Sequence, residues 1–277
     1  MHVPSALPVT PALAQRLSGS PLVLLLDVDG TLSPIAPRPE HAVVPPETTR
    51  VLSDLAALPT VHAAIVSGRS AADARRLVGV DGVWLIGNHG MEVAEPSGPP
   101  QVRADVARYE SVIAEAAARA EQIARRCDGI VLENKRWTLS VHFRLAAEDS
   151  LPAVLHDIKT LAAELGLRVT HGKKVLELRP PVHVDKGVAA VALARALGAM
   201  QPIASILCAG DDVTDEDAFR AVRAAHPSAV TVRVGIDGYA TAETAAEFSL
   251  PDTASMHELL SWVLASRNGS QRLTSSV

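Results

Sequence analysis

Short apolar segments alternate with helical patterns along the first and last thirds of the chain. Residues 22–26 read LVLLL between Pro21 and Asp27, which is typical of a strand buried on both faces of a parallel sheet. Further strands are predicted at 63–66, 83–86, 204–208 and 230–234, with helices at 47–58, from Ser70, and at 186–197, 214–225 and 254–266. This alternation predicts an α/β domain with a doubly wound parallel sheet.

The pattern changes after Gly90. Residues 95–100 are rich in proline, glycine and serine, which indicates a linker. A helix at 109–123, strands at 130–134 and 138–144, a helix at 151–165, and strands at 167–170 and 175–178 follow. This αββαββ order predicts an inserted α+β domain, so we place the core at residues 1–97 and 183–277 and the insert at 98–182. The polar tail from 268 to 277 is expected to fray.

The composition is that of a soluble globular protein, with 48% hydrophobic and 21% charged residues. The net charge of -5 provides no basic surface for nucleic acid or an anionic membrane. The N-terminus lacks the pattern of a secretory signal, and no apolar segment approaches the roughly 20 residues of a membrane helix. Cys127 and Cys208 form no CxxC motif, so neither a disulfide framework nor a zinc site is indicated. We therefore expect a reducing, cytoplasmic location.

Three of the predicted parallel strands end at a polar residue: Asp27, Ser67 or Asp211. In open α/β sheets the ligand crevice lies at the carboxyl ends of the strands, so these side chains are expected to converge. Carboxylates brought together there repel one another unless a cation lies between them. The simplest prediction is a Mg²⁺ site.

Residues 27–31 read DVDGT directly after the first buried strand. Strand alternation puts Asp27 and Asp29 on the same side, and Gly30 allows a sharp turn that keeps both at the strand end. One carboxylate can then attack phosphorus while the other handles a proton. The alternative is a plain Asp-Gly turn after a buried strand. An EF-hand loop fits less well, because Gly30 comes too early in the segment.

A second acidic cluster lies at residues 210–217, which read GDDVTDED. Acids at a helix N-terminus can simply complement the helix dipole, and that alternative accounts for Asp215, Glu216 and Asp217. It accounts less well for Asp211 and Asp212, which lie at the mouth of the sheet. We therefore predict Asp211 as a metal ligand, with Asp215 as a weaker second candidate.

Lysine is used sparingly, since only five of the 26 basic residues are lysines. Positions that keep lysine can require a compact point charge where arginine would present a planar fork. Lys186, at the start of a core helix, is the best candidate for binding phosphate. Lys135 and Lys173 lie in the insert among other charged residues, where a solvated strand face is the alternative.

The motifs DVDGT, SGR, DKG and GDDVTDED occur in the order typical of the haloacid dehalogenase superfamily, which the core resembles over nearly its whole length. Three further blocks, GNHG (87–90), LENKRWTLSVHFR (132–144) and GKKVLELRP (172–180), resemble the trehalose-6-phosphate phosphatases. Val28 departs mildly from the aromatic residue that is frequent there. The resemblance implies a Rossmann-like core with a mobile cap. It also implies Mg²⁺-dependent hydrolysis of trehalose 6-phosphate through an aspartyl-phosphate intermediate.

The resemblance also implies roles for individual residues. Asp27 is the nucleophile, and Asp29 first protonates the leaving sugar oxygen and then activates water. Ser67 and Lys186 hold the phosphoryl oxygens. The implied Mg²⁺ ligands are Asp27, the backbone carbonyl of Asp29, Asp211 and Asp215. The implied substrate-binding residues are Arg69, Asn88, His89, Glu133, Lys135, His142, Arg144, Lys173 and Glu177.

Other functions remain open on the sequence. One is a related phosphatase for another sugar phosphate, such as sucrose phosphate or mannosyl-phosphoglycerate. Others are a phosphomutase and a non-catalytic sugar-phosphate sensor, although the presence of both Asp27 and Asp29 argues against an inactive protein. We expect a monomer without nucleic-acid or membrane partners, acting in trehalose biosynthesis alongside a trehalose-phosphate synthase.

Overall fold

The computed structural model describes residues 5–6, 10–172, 174–235 and 244–274. The chain divides into two compact units, one formed by Met1–Gln101 with Val184–Val277 and the other by Val102–His183. Within the described ranges, no helix combines the length and the apolar character that crossing a bilayer requires.

The strands are, in chain order, β1 (Ser5–Ala6), β2 (Leu22–Leu26), β3 (Val61–Val66), β4 (Trp84–Gly87), β5 (Glu92–Ala94), β6 (Gln101–Val102), β7 (Val131–Asn134), β8 (Leu139–His142), β9 (Arg168–Gly172), β10 (Val175–Arg179), β11 (Ser205–Gly210), β12 (Val230–Val234) and β13 (Phe248–Leu250). The α-helices are α1 (Pro11–Arg16), α2 (Pro46–Ala56), α3 (Ala71–Val78), α4 (Ala104–Ala107), α5 (Glu110–Ala124), α6 (Leu151–Glu164), α7 (Lys186–Ala196), α8 (Val213–Ala225) and α9 (Thr253–Thr274). Two short 3₁₀ helices lie at Pro39–His41 and Asn88–Gly90.

The larger unit is built on a nine-stranded sheet with the order β1-β13-β12-β11-β2-β3-β4-β5-β6. Every pairing from β1 to β4 in this order is parallel, and β5 pairs antiparallel with β4. From β2 the chain proceeds outward to β3 and β4, and it later returns to β11 on the other side of β2. The strand order therefore reverses at β2, which is where open α/β sheets form their ligand crevice.

Alternation along β2 explains why the sheet is covered on both faces. Leu22, Leu24 and Leu26 belong to a core shared with α2, α3 and α9, whereas Val23 and Leu25 belong to a second core shared with α7 and α8. A strand buried on both faces has no polar position, which accounts for its unbroken apolar sequence. The predicted doubly wound α/β core is confirmed.

The smaller unit has a four-stranded antiparallel sheet in the order β7-β8-β10-β9. Side chains such as Ile113, Leu139 and Ile158 join α5, α6 and one face of this sheet in a separate core. The elements run α5, β7, β8, α6, β9, β10, after the short α4. The predicted αββαββ order is thus confirmed.

The structure differs from the sequence prediction mainly in short or polar segments. Helix α9 continues as far as Thr274, whereas the prediction ended it at residue 266 and expected a frayed tail. Strands such as β5 and β13 are only three residues long, too short to give a periodic signal. In the segment predicted as a linker, the carbonyls of Glu95, Pro96 and Gly98 accept hydrogen bonds from Arg75.

Candidate active site

The polar residues that follow β2, β3 and β11 lie at the carboxyl ends of adjacent strands. The amide of Asp27 donates to the carbonyl of Ala209 (3.0 Å), which extends the β2–β11 pairing by one step. The amide of Ser67 donates to the carbonyl of Ile86 (2.8 Å) in β4. Backbone hydrogen bonds of the sheet therefore fix the positions from which these side chains project.

Three buried or half-buried carboxylates form the acidic cluster: Asp27, Asp211 and Asp215. One carboxylate oxygen of each lies within 4.8 Å of the others. Asp215, in the first turn of α8, is held by its second oxygen, which accepts from the amides of Asp211 (3.1 Å) and Asp212 (3.0 Å). The residue therefore stabilises the helix N-terminus and also belongs to the cluster, so the two alternatives weighed for it are compatible.

Lys186 connects two members of the acidic cluster. Its ammonium group donates to Asp27 Oδ1 (2.7 Å) and to Asp215 Oδ1 (2.8 Å), and the side chain is only 3% exposed. Burial acts to lower the pKa of Lys186, but the two carboxylates raise it overall. The residue therefore remains a cation at neutral pH.

The acidic cluster carries more negative charge than Lys186 can balance. Burial is the largest cause that raises the pKa of Asp211, to about 8, and repulsion from Asp215 and Asp212 adds to it. Burial likewise raises the pKa of Asp27 well above its usual range, against the attraction of Lys186. Buried oxygen donors with uncompensated charge suit a hard divalent cation. The described residues thus fit a Mg²⁺-type metal, as the sequence predicted.

Two glycines, Gly30 and Gly210, allow the backbone to come close to the carboxylates of Asp211 and Asp215. Gly30 has φ +87°, and a Cβ there would lie 2.1 Å from Asp211 Oδ2. At Gly210 a Cβ would lie 2.2 Å from Asp215 Cγ. Any side chain at either position would displace a carboxylate of the acidic cluster, so the DxDG and GDD sequences have a steric reason.

Asp29 has surroundings unlike those of Asp27. Its carboxylate is not part of the acidic cluster and is 41% exposed, although its implied metal contact is through the backbone carbonyl. Both of its oxygens accept from Arg69, at 2.7 Å from Nε and 2.8 Å from Nη2. Asp27 and Asp29 are thus distinguished as a buried carboxylate beside Lys186 and an accessible one beside Arg69.

The loops carrying SGR and GNHG are locked together by main-chain hydrogen bonds. The amide of Asn88 donates to the carbonyl of Arg69 (2.7 Å), and that of His89 donates to the carbonyl of Ser67 (3.0 Å). Asn88 and His89 have φ of 47° and 55°, values that non-glycine residues rarely adopt. A Cβ on Gly68 would lie 2.5 Å from His89 Nε2, so the imidazole lies against this glycine. Strain of this kind typically clusters at functional sites.

In the smaller unit, Glu133, His142 and Glu177 alternate with the core side chains and lie on the face of the sheet opposite the helices. Glu133, Ser140 and Glu177 are in register across β7, β8 and β10. Lys135 Nζ and Ser140 Oγ donate to Glu177 Oε1, at 2.9 and 3.0 Å. His142 Nε2 lies 3.0 Å from Glu133 Oε2. A cross-strand row of this kind forms a polar surface rich in both donors and acceptors.

The structure therefore assembles the predicted residues in two groups, one in each unit. Asn88 is fully buried and His89 nearly so, and Arg144 is exposed just beyond β8. Lys173 lies outside the described residues. The predicted roles of the individual residues remain predictions.

Some supporting residues were not found from the sequence. Asp73 pairs with Arg69, and Glu92 accepts from Asn88; both pairs have i,i+4 spacing, which could have indicated them. Arg233 pairs with Glu216 (2.6 Å) and donates to the carbonyl of Asp211 (3.1 Å). No sequence signal connects Arg233 with Asp211. The two residues are close because β12 pairs with β11, and Asp211 directly follows β11.

Comparison with known proteins agrees with the family that the sequence motifs resemble. Residues 25–254 match the family model described as trehalose-phosphatase. A trehalose-phosphate phosphatase of Mycobacterium avium is 37% identical over 87% of this chain and 61% of its own. An uncharacterised glycosyl hydrolase of Mycobacterium tuberculosis is 41% identical over 80% of this chain and 17% of its own. The chain thus spans less than two thirds of the length of these curated relatives.

A solved structure has a similar fold over a similar length. The C-terminal domain of the Candida albicans trehalose-6-phosphate phosphatase superposes with a TM-score of 0.79 at 25% identity. The match covers 95% of this chain and 99% of that domain.

Proposed function

The chain belongs to the trehalose-phosphatase family, and from that premise we propose that it hydrolyses trehalose 6-phosphate to trehalose and phosphate through an aspartyl-phosphate on Asp27. The observation that carries this proposal is the cluster of Asp27, Asp211 and Asp215, buried or half-buried beside Lys186, at the carboxyl ends of β2 and β11. Two carboxylates of different surroundings, Asp27 and Asp29, also suit two different chemical roles.

We propose Mg²⁺ as the metal. The groups that would hold it are Asp27, Asp211, Asp215 and the backbone carbonyl of Asp29. When bound, the ion offsets the charge that develops on the transferring phosphoryl group.

In the first step, an oxygen of Asp27 bonds to phosphorus while the bond from phosphorus to the sugar oxygen breaks. Asp29 gives its proton to the departing sugar oxygen, so trehalose leaves as a neutral alcohol. Lys186 and Ser67 orient the phosphoryl oxygens. Lys186 is suited to this role because its two carboxylate neighbours keep it charged despite burial.

In the second step, Asp29 is ionised and takes a proton from water. The water oxygen bonds to phosphorus, the bond to Asp27 breaks, and phosphate leaves with the Asp27 carboxylate restored. Asp29 is accessible enough for this exchange, with 41% of its side chain exposed.

We propose that the smaller unit is a substrate-recognition cap. Its polar face offers carboxylates that accept from sugar hydroxyls and basic groups that donate to them, as a polyol requires. Glu133, Lys135, His142, Arg144, Lys173 and Glu177 are its contact residues. As expected from the sequence, we propose that the protein is a monomer and that it acts beside a trehalose-phosphate synthase.

Phosphate release from a panel of sugar phosphates tests this function. We expect Mg²⁺-dependent release from trehalose 6-phosphate that exceeds release from sucrose phosphate, mannosyl-phosphoglycerate and glucose 6-phosphate. A clear preference for another member of the panel would reassign the substrate. Transfer of the phosphate to a second sugar, with none released to water, would indicate a phosphomutase.

Thermal stability provides a test of the metal that does not depend on activity. Asp211 has a pKa raised to about 8, against about 3.9 in an unfolded chain. At Asp211 the metal-free folded protein therefore binds more protons than the unfolded chain, and the contribution of this group to stability is lost as pH rises towards 8. Because Mg²⁺ needs ionised carboxylates, we expect the increase in Tm on adding Mg²⁺ to be larger at pH 8 than at pH 5.

Asp211→Asn serves as the matched variant for this measurement. We expect it to lose most of the Mg²⁺-induced increase in Tm. An increase that is equal at both pH values, or that persists in Asp211→Asn, would place the metal elsewhere.

A further inference from the structure

Arg69 is buried, and it contacts the more exposed Asp29. The residue is 7% exposed, whereas the Asp29 side chain that it contacts is 41% exposed. Its Nε and Nη2 donate separately to the two oxygens of Asp29, at 2.7 and 2.8 Å. This bidentate geometry fixes the rotation of the carboxylate as well as its position.

The remaining contacts of Arg69 hold the guanidinium itself in place. Nη1 donates to Asp73 Oδ2 (2.6 Å), and Nη2 also donates to the carbonyl of Pro39 (3.0 Å). Asp73 lies in the first turn of α3, and its amide donates to the N-cap Ser70 (3.1 Å). The guanidinium is thus braced between a helix N-terminus and the segment that follows β2.

These contacts leave Arg69 little capacity to bind a substrate. A guanidinium carries five N–H donors, and the hydrogen bonds of Arg69 to Asp29, Asp73 and the Pro39 carbonyl use four of them. A residue that is 7% exposed also offers little surface to a sugar phosphate. Asp29, by contrast, retains exposed lone pairs because each carboxylate oxygen can accept more than one hydrogen bond.

We infer that Arg69, braced by Asp73, is a positioning residue that aims the Asp29 carboxylate at the leaving sugar oxygen and at the attacking water. This role differs from the substrate contact that the sequence implied for Arg69. It rests on the proposed function, in which Asp29 transfers the proton. A misplacement of about 1 Å in such a group can lower the rate by about 10²-fold.

Comparing two substrates separates positioning from binding. Trehalose is a poor leaving group that needs a proton, whereas 4-nitrophenolate leaves without one. For Arg69→Ala we expect kcat on trehalose 6-phosphate to fall about 10²-fold, with KM changed less than about threefold. With 4-nitrophenyl phosphate we expect a rapid burst of about one equivalent of 4-nitrophenolate, followed by slow turnover, because only the second step still needs Asp29.

A double-mutant cycle tests whether Arg69 acts through Asp29. In an Asp29→Asn background, Arg69→Ala should lower activity by no more than about twofold, since the carboxylate through which Arg69 acts is already lost.

Arg69→Lys keeps the buried charge but loses the planar fork of the guanidinium, so we expect this variant to fold and still to show the burst. Asp73→Asn should give a smaller loss with the same pattern. Added guanidinium should partly restore Arg69→Ala.

Arg76 provides the matched control. It lies on the same helix and also pairs with Asp73, but its side chain is 82% exposed. Arg76→Ala should keep wild-type kcat and KM on both substrates.

The outcomes distinguish this inference from the proposed function. A large rise in KM for trehalose 6-phosphate without a burst would make Arg69 a substrate contact and overturn the inference. Additive losses in the double mutant would also overturn it. Wild-type protein that releases no phosphate from trehalose 6-phosphate would instead contradict the proposed function.

Discussion

Asp27→Asn is expected to abolish turnover of trehalose 6-phosphate, with kcat lowered by at least about 10⁴-fold. An amide nitrogen and a neutral amide oxygen cannot form the bond to phosphorus that the carboxylate forms. Steady-state phosphate release, measured on wild type and variant at equal Mg²⁺, gives the ratio. Asp54→Asn, an exposed change on α2, is the matched control and should retain full activity.

The same substitution is expected to leave the fold intact. Burial raises the pKa of Asp27 well above its usual range, so its negative charge is unfavourable in the metal-free protein. Removing that charge should keep Tm at or above the wild-type value near neutral pH, and the amide oxygen can still accept from Lys186. Appreciable turnover by a folded Asp27→Asn protein would eliminate the covalent mechanism.

Glu133→Ala and Arg144→Ala are each expected to lower kcat/KM on trehalose 6-phosphate by about 10- to 10²-fold. Each change removes a charged partner for the sugar hydroxyls, and hydrogen bonds to charged groups contribute about 1.5 to 3 kcal/mol. Turnover of 4-nitrophenyl phosphate should change little, since that substrate has no sugar for the cap to contact. The measurement is kcat/KM on both substrates for each variant.

Two residues of the same unit serve as matched controls. Glu121 on α5 and Arg125 at the C-cap of α5 are exposed, at 65% and 72% of their side-chain area, and they pair with each other. Glu121→Ala and Arg125→Ala should leave both substrates unaffected. Equal losses on the two substrates for Glu133→Ala would instead assign this residue to the core chemistry.

The parts of the fold that could be predicted from sequence are those with a strong local cause. The segment LVLLL requires burial on both faces, and DVDGT must then follow at the carboxyl end of a central strand. The helix predicted from Ser70 is α3, with Ser70 as its N-cap, and Ser70 Oγ accepts from the amide of Asp73. In these segments local sequence and tertiary structure require the same conformation.

The parts that could not be predicted depend on contacts distant in sequence. Helix α9 runs beyond residue 266, and Arg267 donates to the carbonyls of Leu17 and Gly19 at the other end of the chain. Such tertiary contacts override the polar composition that suggested a frayed tail. The ion pairs that link Asp73, Arg69 and Asp29 also depend on tertiary structure. The Arg69–Asp73 pair has i,i+4 spacing in the sequence, but nothing in the sequence indicates the Arg69–Asp29 pair.

Lys186 shows how the candidate site was only partly predictable. A lysine at the start of a core helix suggested a role with phosphate, and the structure places its ammonium group between Asp27 and Asp215. Its contact with Asp215 arises because α7 packs tightly on α8, where a Cβ on Gly187 would lie 2.4 Å from the carbonyl of Asp217. The residue type was informative, but the partner was set by helix packing.

Chemical trapping of the phosphorylated enzyme is the most direct test of the covalent mechanism. Wild-type protein is mixed with trehalose 6-phosphate and Mg²⁺, quenched in acid and reduced with borohydride, which converts an aspartyl-phosphate to homoserine. Mass spectrometry of the peptide spanning residue 27 is expected to show this conversion in wild type and not in Asp27→Asn. Full phosphate release with residue 27 unmodified, or homoserine at another aspartate, would contradict the assignment of Asp27 as the nucleophile.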